Sequence, residues 1–291
     1  MKKNRPLNIG EFNLYQKEEN TISKKGSLYV TDVYFETKNQ FKNRQLSVYL
    51  PSTYDFSNPR KRFPVLYMFD GSNLFDDYQS FAGEWNADEH VENLIKDGEI
   101  NGLIVVGLDS PGDGKDRECE MLPLDLPLGK ISKEFNNREQ YGNILIDFIV
   151  KEVKPLIDKR FFTLRSKKST GIGGSSMGGL MSFYSIYKYN KTFSFCLSFS
   201  PAFECYRRKP FLKWVTRNYK NLCESSIIYM FNGDQELDTI LKPLALETYE
   251  TLNKIGFNKD NLAMLFDSRC KHHESEWSKY FEDAIRFWFK K

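Results

Sequence analysis

Thr170-Gly171-Ile172-Gly173-Gly174-Ser175-Ser176-Met177-Gly178-Gly179-Leu180-Met181-Ser182-Phe183 is the stretch on which the reading of the whole chain turns. Its first residues suit a short buried strand, and Met181 and Phe183 follow in a segment of helical character. Between them Gly174-Ser175-Ser176-Met177-Gly178 matches G-x-S-x-G. A strand that turns sharply into a helix holds the central Ser in a strained conformation with its hydroxyl exposed. Side chains two residues before and after it would collide, so both positions favour Gly. Ser176 is centred between the two glycines and Ser175 is not, which makes Ser176 the candidate nucleophile. The competing reading is a Gly-rich turn that cradles phosphate at a helix N-terminus. Neither G-x-x-x-x-G-K-[ST] nor G-x-G-x-x-G is present here.

Outward from this turn, strands and helices alternate. Strand character appears at 28–30, 33–35 and 46–50, then at 64–69, which ends on the turn pair Asp70-Gly71. A helix is predicted at 86–97, a strand at 103–107, a long loop at 109–135 and a helix near 138–158. Strands near 170–174, 194–199, 227–231 and 262–266 alternate with helices at 178–190, before 222 and at 239–255. A last helix from about 274 carries the apolar stripe Trp277, Phe281, Ile285 and Trp288. This alternation predicts an α/β fold with a mostly parallel sheet covered by helices on both faces. Residues 1–26 read as a polar N-terminal extension and 27–291 as a single catalytic domain.

Composition narrows the classes. Hydrophobic residues make up 40% of the 291 and charged residues 28%, with a net charge of +3. That balance is ordinary for a soluble globular protein and gives no reason to expect a nucleic-acid partner. The basic N-terminus lacks the apolar run of a secretory signal, and no stretch approaches a membrane span. The five cysteines (Cys119, Cys196, Cys205, Cys223, Cys270) include no C-x-x-C pair, the usage of reduced thiols. A cytoplasmic protein is expected, with no membrane partner.

A serine nucleophile needs a base, and only His90, His272 and His273 are available. Folds with such an elbow place acid and then His after the Ser, the His on the loop behind the last core strand. His90 precedes Ser176 and sits in a predicted helix, which suits a surface or core-edge role. His272 and His273 both follow the strand at 262–266, and chemistry alone does not separate them. The acid should follow the strand at 227–231, where Asp234, Glu236 and Asp238 cluster; Asp267 is a further option.

Other segments carry a wider resemblance: Val65-Leu66-Tyr67-Met68-Phe69-Asp70-Gly71-Ser72-Asn73-Leu74-Phe75, Gly83-Glu84-Trp85, Val105-Val106-Gly107-Leu108 and Arg117-Glu118-Cys119-Glu120. To these are added Gly173–Gly179 and His272-His273-Glu274-Ser275-Glu276-Trp277. Over roughly residues 44–290 the chain resembles the putative esterase (esterase D-like) family of α/β hydrolases, which includes siderophore and feruloyl esterases. The resemblance implies a serine carboxylic ester hydrolase working through an acyl-enzyme. Its H-x-E-x-x-W pattern selects His272 as base, and its G-x-x-[DE] pattern aligns Glu236 as acid. It places the oxyanion hole at the Met177 and Ser72 N–H groups. His273 stands where a small or amide residue is usual, and Cys270 where Gly is common.

No metal or cofactor is implied, and the partner expected is a small-molecule ester. An acyltransferase using the same triad is the rival class; a non-catalytic module is disfavoured by the order of Ser, acid and His. The segment from Tyr206 to Trp214 is basic and aromatic. Arg207, Arg208 and Trp214, with His273 at the pocket edge, are candidate substrate contacts; a solvated helix face is the plainer reading. Arg117 and Glu120 read as a structural ion pair.

Overall fold

Strands β4 (Val65–Phe69), β5 (Ile104–Leu108), β6 (Thr170–Ser175) and β7 (Phe195–Phe199) are buried at every residue. A strand covered on both faces cannot alternate polar and apolar side chains, so it reads as a continuous apolar run. β2 (Ser27–Glu36) instead alternates over its second half, as an antiparallel strand near a sheet edge does. These features come from a computed structural model, which describes residues 11–15, 26–36, 41–111, 114–126, 139–219, 222 and 225–290.

With β1 (Asn13–Leu14), β3 (Phe41–Leu50), β8 (Ile227–Asn232) and β9 (Leu262–Phe266), the strands form one nine-stranded sheet ordered β1-β2-β3-β5-β4-β6-β7-β8-β9. The β1–β2, β2–β3 and β3–β5 pairs are antiparallel, and every pair from β5 to β9 is parallel. The chain passes outward from β4 to β5 and then back across to β6, so winding reverses beside β4. Open α/β sheets bind ligands outside the carboxyl ends of strands at such a point.

Side chains alternate between two cores. Val65, Tyr67 and Phe69 face one, together with residues of α3 (Gly142–Phe148), α4 (Lys154–Arg160), α5 (Met177–Lys188), α6 (Arg208–Asn218) and α7 (Asp238–Lys254). Leu66 and Met68 face the other, under α1 (Ala87–Lys96), α8 (Glu274–Ser278) and α9 (Phe281–Phe289). The expected α/β architecture is therefore present, with helices on both faces.

Three details differ from the sequence reading. The loop at 109–135 contains α2 (Gly114–Glu120). Within the stretch read as a polar extension, Asn13 and Leu14 add an edge strand, and Phe12 packs edge-on against Phe161 at 5.3 Å; residues 1–10 and 16–25 lie outside the described residues. The last helix is two helices, because Tyr280 leaves helical backbone (φ −111°, ψ 4°). Its hydroxyl bonds Asp267 at 2.6 Å, and its ring stacks on Phe231 at 4.4 Å. The stripe Trp277, Phe281, Ile285 and Trp288 is nevertheless buried along its length.

Candidate active site

β6 runs into α5 through Ser176, held at φ 57° and ψ −118°. Such a backbone costs a non-glycine residue about 1–3 kcal/mol and persists only where its surroundings over-determine it. Here the Ser176 N–H donates to Phe199 O (2.8 Å), and Ala202 N–H donates to Ser176 O (3.0 Å). A Cβ on Gly174 would stand 2.9 Å from the Gly178 carbonyl carbon, and one on Gly178 would stand 3.1 Å from Phe69 Cβ. Gly174 is thus a steric requirement of the turn, and at Gly178 a side chain fits only where Phe69 gives by a few tenths of an ångström.

The carboxyl end of β8 supplies a carboxylate, but from Asp238 rather than Glu236. Asp238 opens α7 and is fully buried. One of its oxygens accepts hydrogen bonds from Ser200 Oγ (2.8 Å) and the Gly233 N–H (2.9 Å). The other lies 2.6 Å from His272 Nδ1. Glu236 is exposed at the tip of the turn, in left-handed backbone (φ 53°). The correction has a plain cause: helical side chains lean toward the N-terminus, so the first residue of α7 projects back over the strand ends, and the turn tip does not. The other acidic candidates are engaged elsewhere, Asp234 with Lys242 and Asp267 with Arg269 and Tyr280.

His272 lies on the loop after β9. That loop is tied to the acid turn by Cys270 O, which accepts the N–H groups of Asp234 and Gln235, both at 3.1 Å. Trp277 packs edge-on to the imidazole at 4.8 Å, and its indole N–H donates to Ser200 Oγ (3.0 Å). Ser200 thus links Asp238 to the aromatic wall beside His272. Among the described residues, Ser176 Oγ and His272 Nε2 have no hydrogen-bond partner. In resting sites this contact often forms only with substrate.

Across the switch point, the turn Gly71–Asn73 follows β4, with Asp70 before it in left-handed backbone (φ 57°). Arg117 clamps the Asp70 carboxylate through Nε and Nη2, both at 2.7 Å, and Ser110 Oγ adds a third bond. Glu120 pairs instead with Arg44. Arg117 and Glu120 are thus both in structural ion pairs, but not with each other. The Met177 N–H, first in α5, has no intrahelical acceptor and lies at the positive end of the helix. The Ser72 N–H is turned toward the Asp109 carboxylate and lowers its proton affinity.

The family model described as "Putative esterase" matches residues 39–280. The chain belongs to the putative esterase family. As a member it is a carboxylic ester hydrolase, with the sheet and helices of the α/β-hydrolase fold. It is 25% identical over 261 residues to an uncharacterized protein, YbbA, of Bacillus subtilis, covering 86% of this chain and 94% of that one. It is 30% identical over 177 residues to an endo-1,4-beta-xylanase/feruloyl esterase of Xylanibacter ruminicola, covering 60% of this chain and 21% of that protein. A feruloyl esterase module from Clostridium thermocellum, solved with sinapinate, shares the fold at a TM-score of 0.68 and 15% identity, covering 97% of this chain and 94% of that one.

The remaining expected site residues of this esterase are placed as follows. His273 caps α8: its Nδ1 accepts the Ser275 N–H (3.2 Å), and a Cβ on Gly83 would stand 2.8 Å from its ring. His273→Ala should leave kcat within about twofold of wild type and destabilise the fold by about 1 kcal/mol, the loss of a helix cap; a thermal melt beside an ester assay checks both. Arg208 is committed to Glu247 of α7, and Trp214 stacks on Tyr184 and Tyr187 of α5. Arg207 is the exposed residue before α6. Trp214 thus packs α6 onto α5, and Arg208 ties it to α7. The residue just before the basic segment does reach the elbow, for Cys205 Sγ lies 3.6 Å from Met177 Sδ.

His90 joins α1 to α9, its ring nitrogens 2.9 Å from Glu282 and from Ser278 Oγ. This separate Ser–His–Glu series is structural, because buried Ser278 donates its proton to Trp85 O at 2.7 Å. Glu84, Asp88 and Glu89 bring carboxylate oxygens within 4.8 Å of one another at the start of α1, where the helix dipole favours acids. Among the described residues no helix is long and apolar enough to cross a membrane.

Two carboxyls beside the turn after β4 hold protons unusually tightly, Glu274 buried and Asp109 half-buried. Burial, followed by repulsion from Asp70, pushes Glu274 up from 4.5 to about 7, against its own N–H, Asn73 and Arg117. Burial and Asp70 likewise push Asp109 up to about 7, opposed by Arg44 and the Ser72 N–H. A raised carboxyl pKa stabilises the fold fully below the unfolded value, and that contribution is lost as pH rises through the folded one. For Glu274 the window is pH 4.5 to about 7. Glu274→Gln should therefore flatten the fall in Tm between pH 5 and 8; an unchanged slope would show that the carboxyl is ionised throughout.

Proposed function

We propose that this esterase cleaves carboxylic esters through an acyl-enzyme on Ser176, with His272 as base and Asp238 as its partner. The observation that carries the reading is the 2.6 Å contact between His272 Nδ1 and buried Asp238, beside a strained serine elbow. His272 Nε2 takes the Ser176 proton as Oγ attacks the ester carbonyl. The Nδ1–H donates to Asp238, which fixes the tautomer and stabilises the imidazolium. The Met177 N–H receives the developing oxyanion, a donor worth roughly 3–4 kcal/mol in comparable sites, and the Ser72 N–H becomes the second donor once it turns from the Asp109 carboxylate it faces at rest. His272 then protonates the leaving alcohol, water enters, and the same base activates it to release the acid. Free Cys119, Cys196, Cys205 and Cys270 support a reducing, cytoplasmic setting.

For the acyl group, feruloyl-type esters are favoured. The Xylanibacter relative is named an endo-1,4-beta-xylanase/feruloyl esterase, and this supports an aromatic acyl group. Turnover of methyl ferulate, a ferric catecholate trilactone and an acetylated xylo-oligosaccharide, each with and without an acceptor alcohol, tests this. The highest kcat/KM on ferulate with free acid as product is expected. Preference for the trilactone, or transfer to the alcohol as the main product, would overturn the substrate or the hydrolase reading respectively.

A further inference from the structure

The two halves of the proposed machinery come from distant parts of the chain. The oxyanion turn follows β4, whereas the base follows β9, four positions away in the sheet. Among the described residues, a buried polar contact joins them directly. Asn73, the last residue of the turn, is fully buried, and its Nδ2 donates to Glu274 Oε1 at 2.9 Å across 201 residues of sequence. Glu274 follows His272 by two residues and opens α8. The rest of Asn73 is equally occupied. Its Oδ1 accepts Ser80 Oγ (3.1 Å) and the Phe81 N–H (3.2 Å), and its carbonyl accepts the Trp85 N–H (2.8 Å). Any shift of α8 is therefore felt by the turn that carries Ser72.

We propose that Glu274 is a positioning residue, whose hydrogen bond from Asn73 locks the oxyanion turn to the His272 loop so that both address one carbonyl. This rests on the reading of Ser176, His272 and Asp238 given above. Misplacement of a catalytic group by about 1 Å costs on the order of 100-fold in rate, and a clamp of this kind governs displacements of that size. Its effect falls on kcat, because the oxyanion forms only after substrate has bound.

The test compares Glu274→Ala, Glu274→Gln, Asn73→Asp and the exchange Asn73→Asp/Glu274→Gln at pH 8, with folding followed by circular dichroism. Glu274→Ala should lower kcat about 10- to 100-fold with KM within about twofold. Glu274→Gln should stay within about threefold of wild type, since the amide oxygen still accepts. Asn73→Asp sets two carboxylates face to face and should lose as much as Glu274→Ala; the exchange restores one donor and one acceptor and should recover most of it. Wild-type kcat in folded Glu274→Ala would overturn the proposal, as would a Gln variant that falls equally far. If Glu274→Ala does not fold, equal kcat for Asn73→Asp and the exchange overturns it. Failure of the underlying reading is separate, since wild-type protein would then hydrolyse esters without covalent labelling of Ser176.

Discussion

His272→Ala is expected to lower kcat as far as Ser176→Ala does, by on the order of 10⁶-fold, with the protein still folded. The two residues act as a unit: without the base the hydroxyl is not deprotonated during attack, and without the hydroxyl the base has nothing to activate. Their losses should therefore not add, and the double variant should be no slower than either single one. What survives is substrate binding and stabilisation by the Met177 and Ser72 N–H groups. Both side chains lie at the carboxyl edge of the sheet and are partly accessible, so truncation opens no core cavity. Steady-state hydrolysis of a p-nitrophenyl ester measures this. A His272→Ala variant within tenfold of wild type would move the base elsewhere.

Asp238→Asn should lower kcat by roughly 10⁴-fold, while Glu236→Gln should change it by less than twofold. Asparagine is nearly isosteric with aspartate and can still accept from Ser200 and the Gly233 N–H, so the turn should hold. What it cannot do is hold the imidazole in the required tautomer: an amide N–H facing Nδ1 places the imidazole proton on Nε2, where it cannot accept from serine. Glu236 faces solvent two residues earlier and loses nothing when neutralised. The reverse ranking, with Glu236→Gln the costly change, would mean that the acid turn rearranges when substrate binds.

Much of this was legible in the residues. The fold followed from buried apolar strands alternating with amphipathic helices, and Gly174 and Gly178 marked the elbow because side chains there crowd the turn. The choice among three acids in one turn was not legible. Asp234, Glu236 and Asp238 differ by a few residues, and which one points inward depends on where α7 begins. Ser200 and its link to Trp277 left no signal either, since a serine after a strand is unremarkable until the fold places it between acid and indole. The partner of the basic stretch after β7 was hidden for a related reason. Charge density is visible in a sequence, but the partner that absorbs it, Glu247 on a helix formed later in the chain, is not.

The most direct test of the account is the site of covalent capture. After reaction with a fluorophosphonate and proteolysis, peptide mass mapping should find a single adduct on Ser176, forming as esterase activity disappears. Ser175, buried beside it, and Ser278, which already donates to Trp85 O, should remain unmodified. Inactivation with the adduct on any other residue, or full Ser176 labelling with hydrolysis undiminished, would contradict the account.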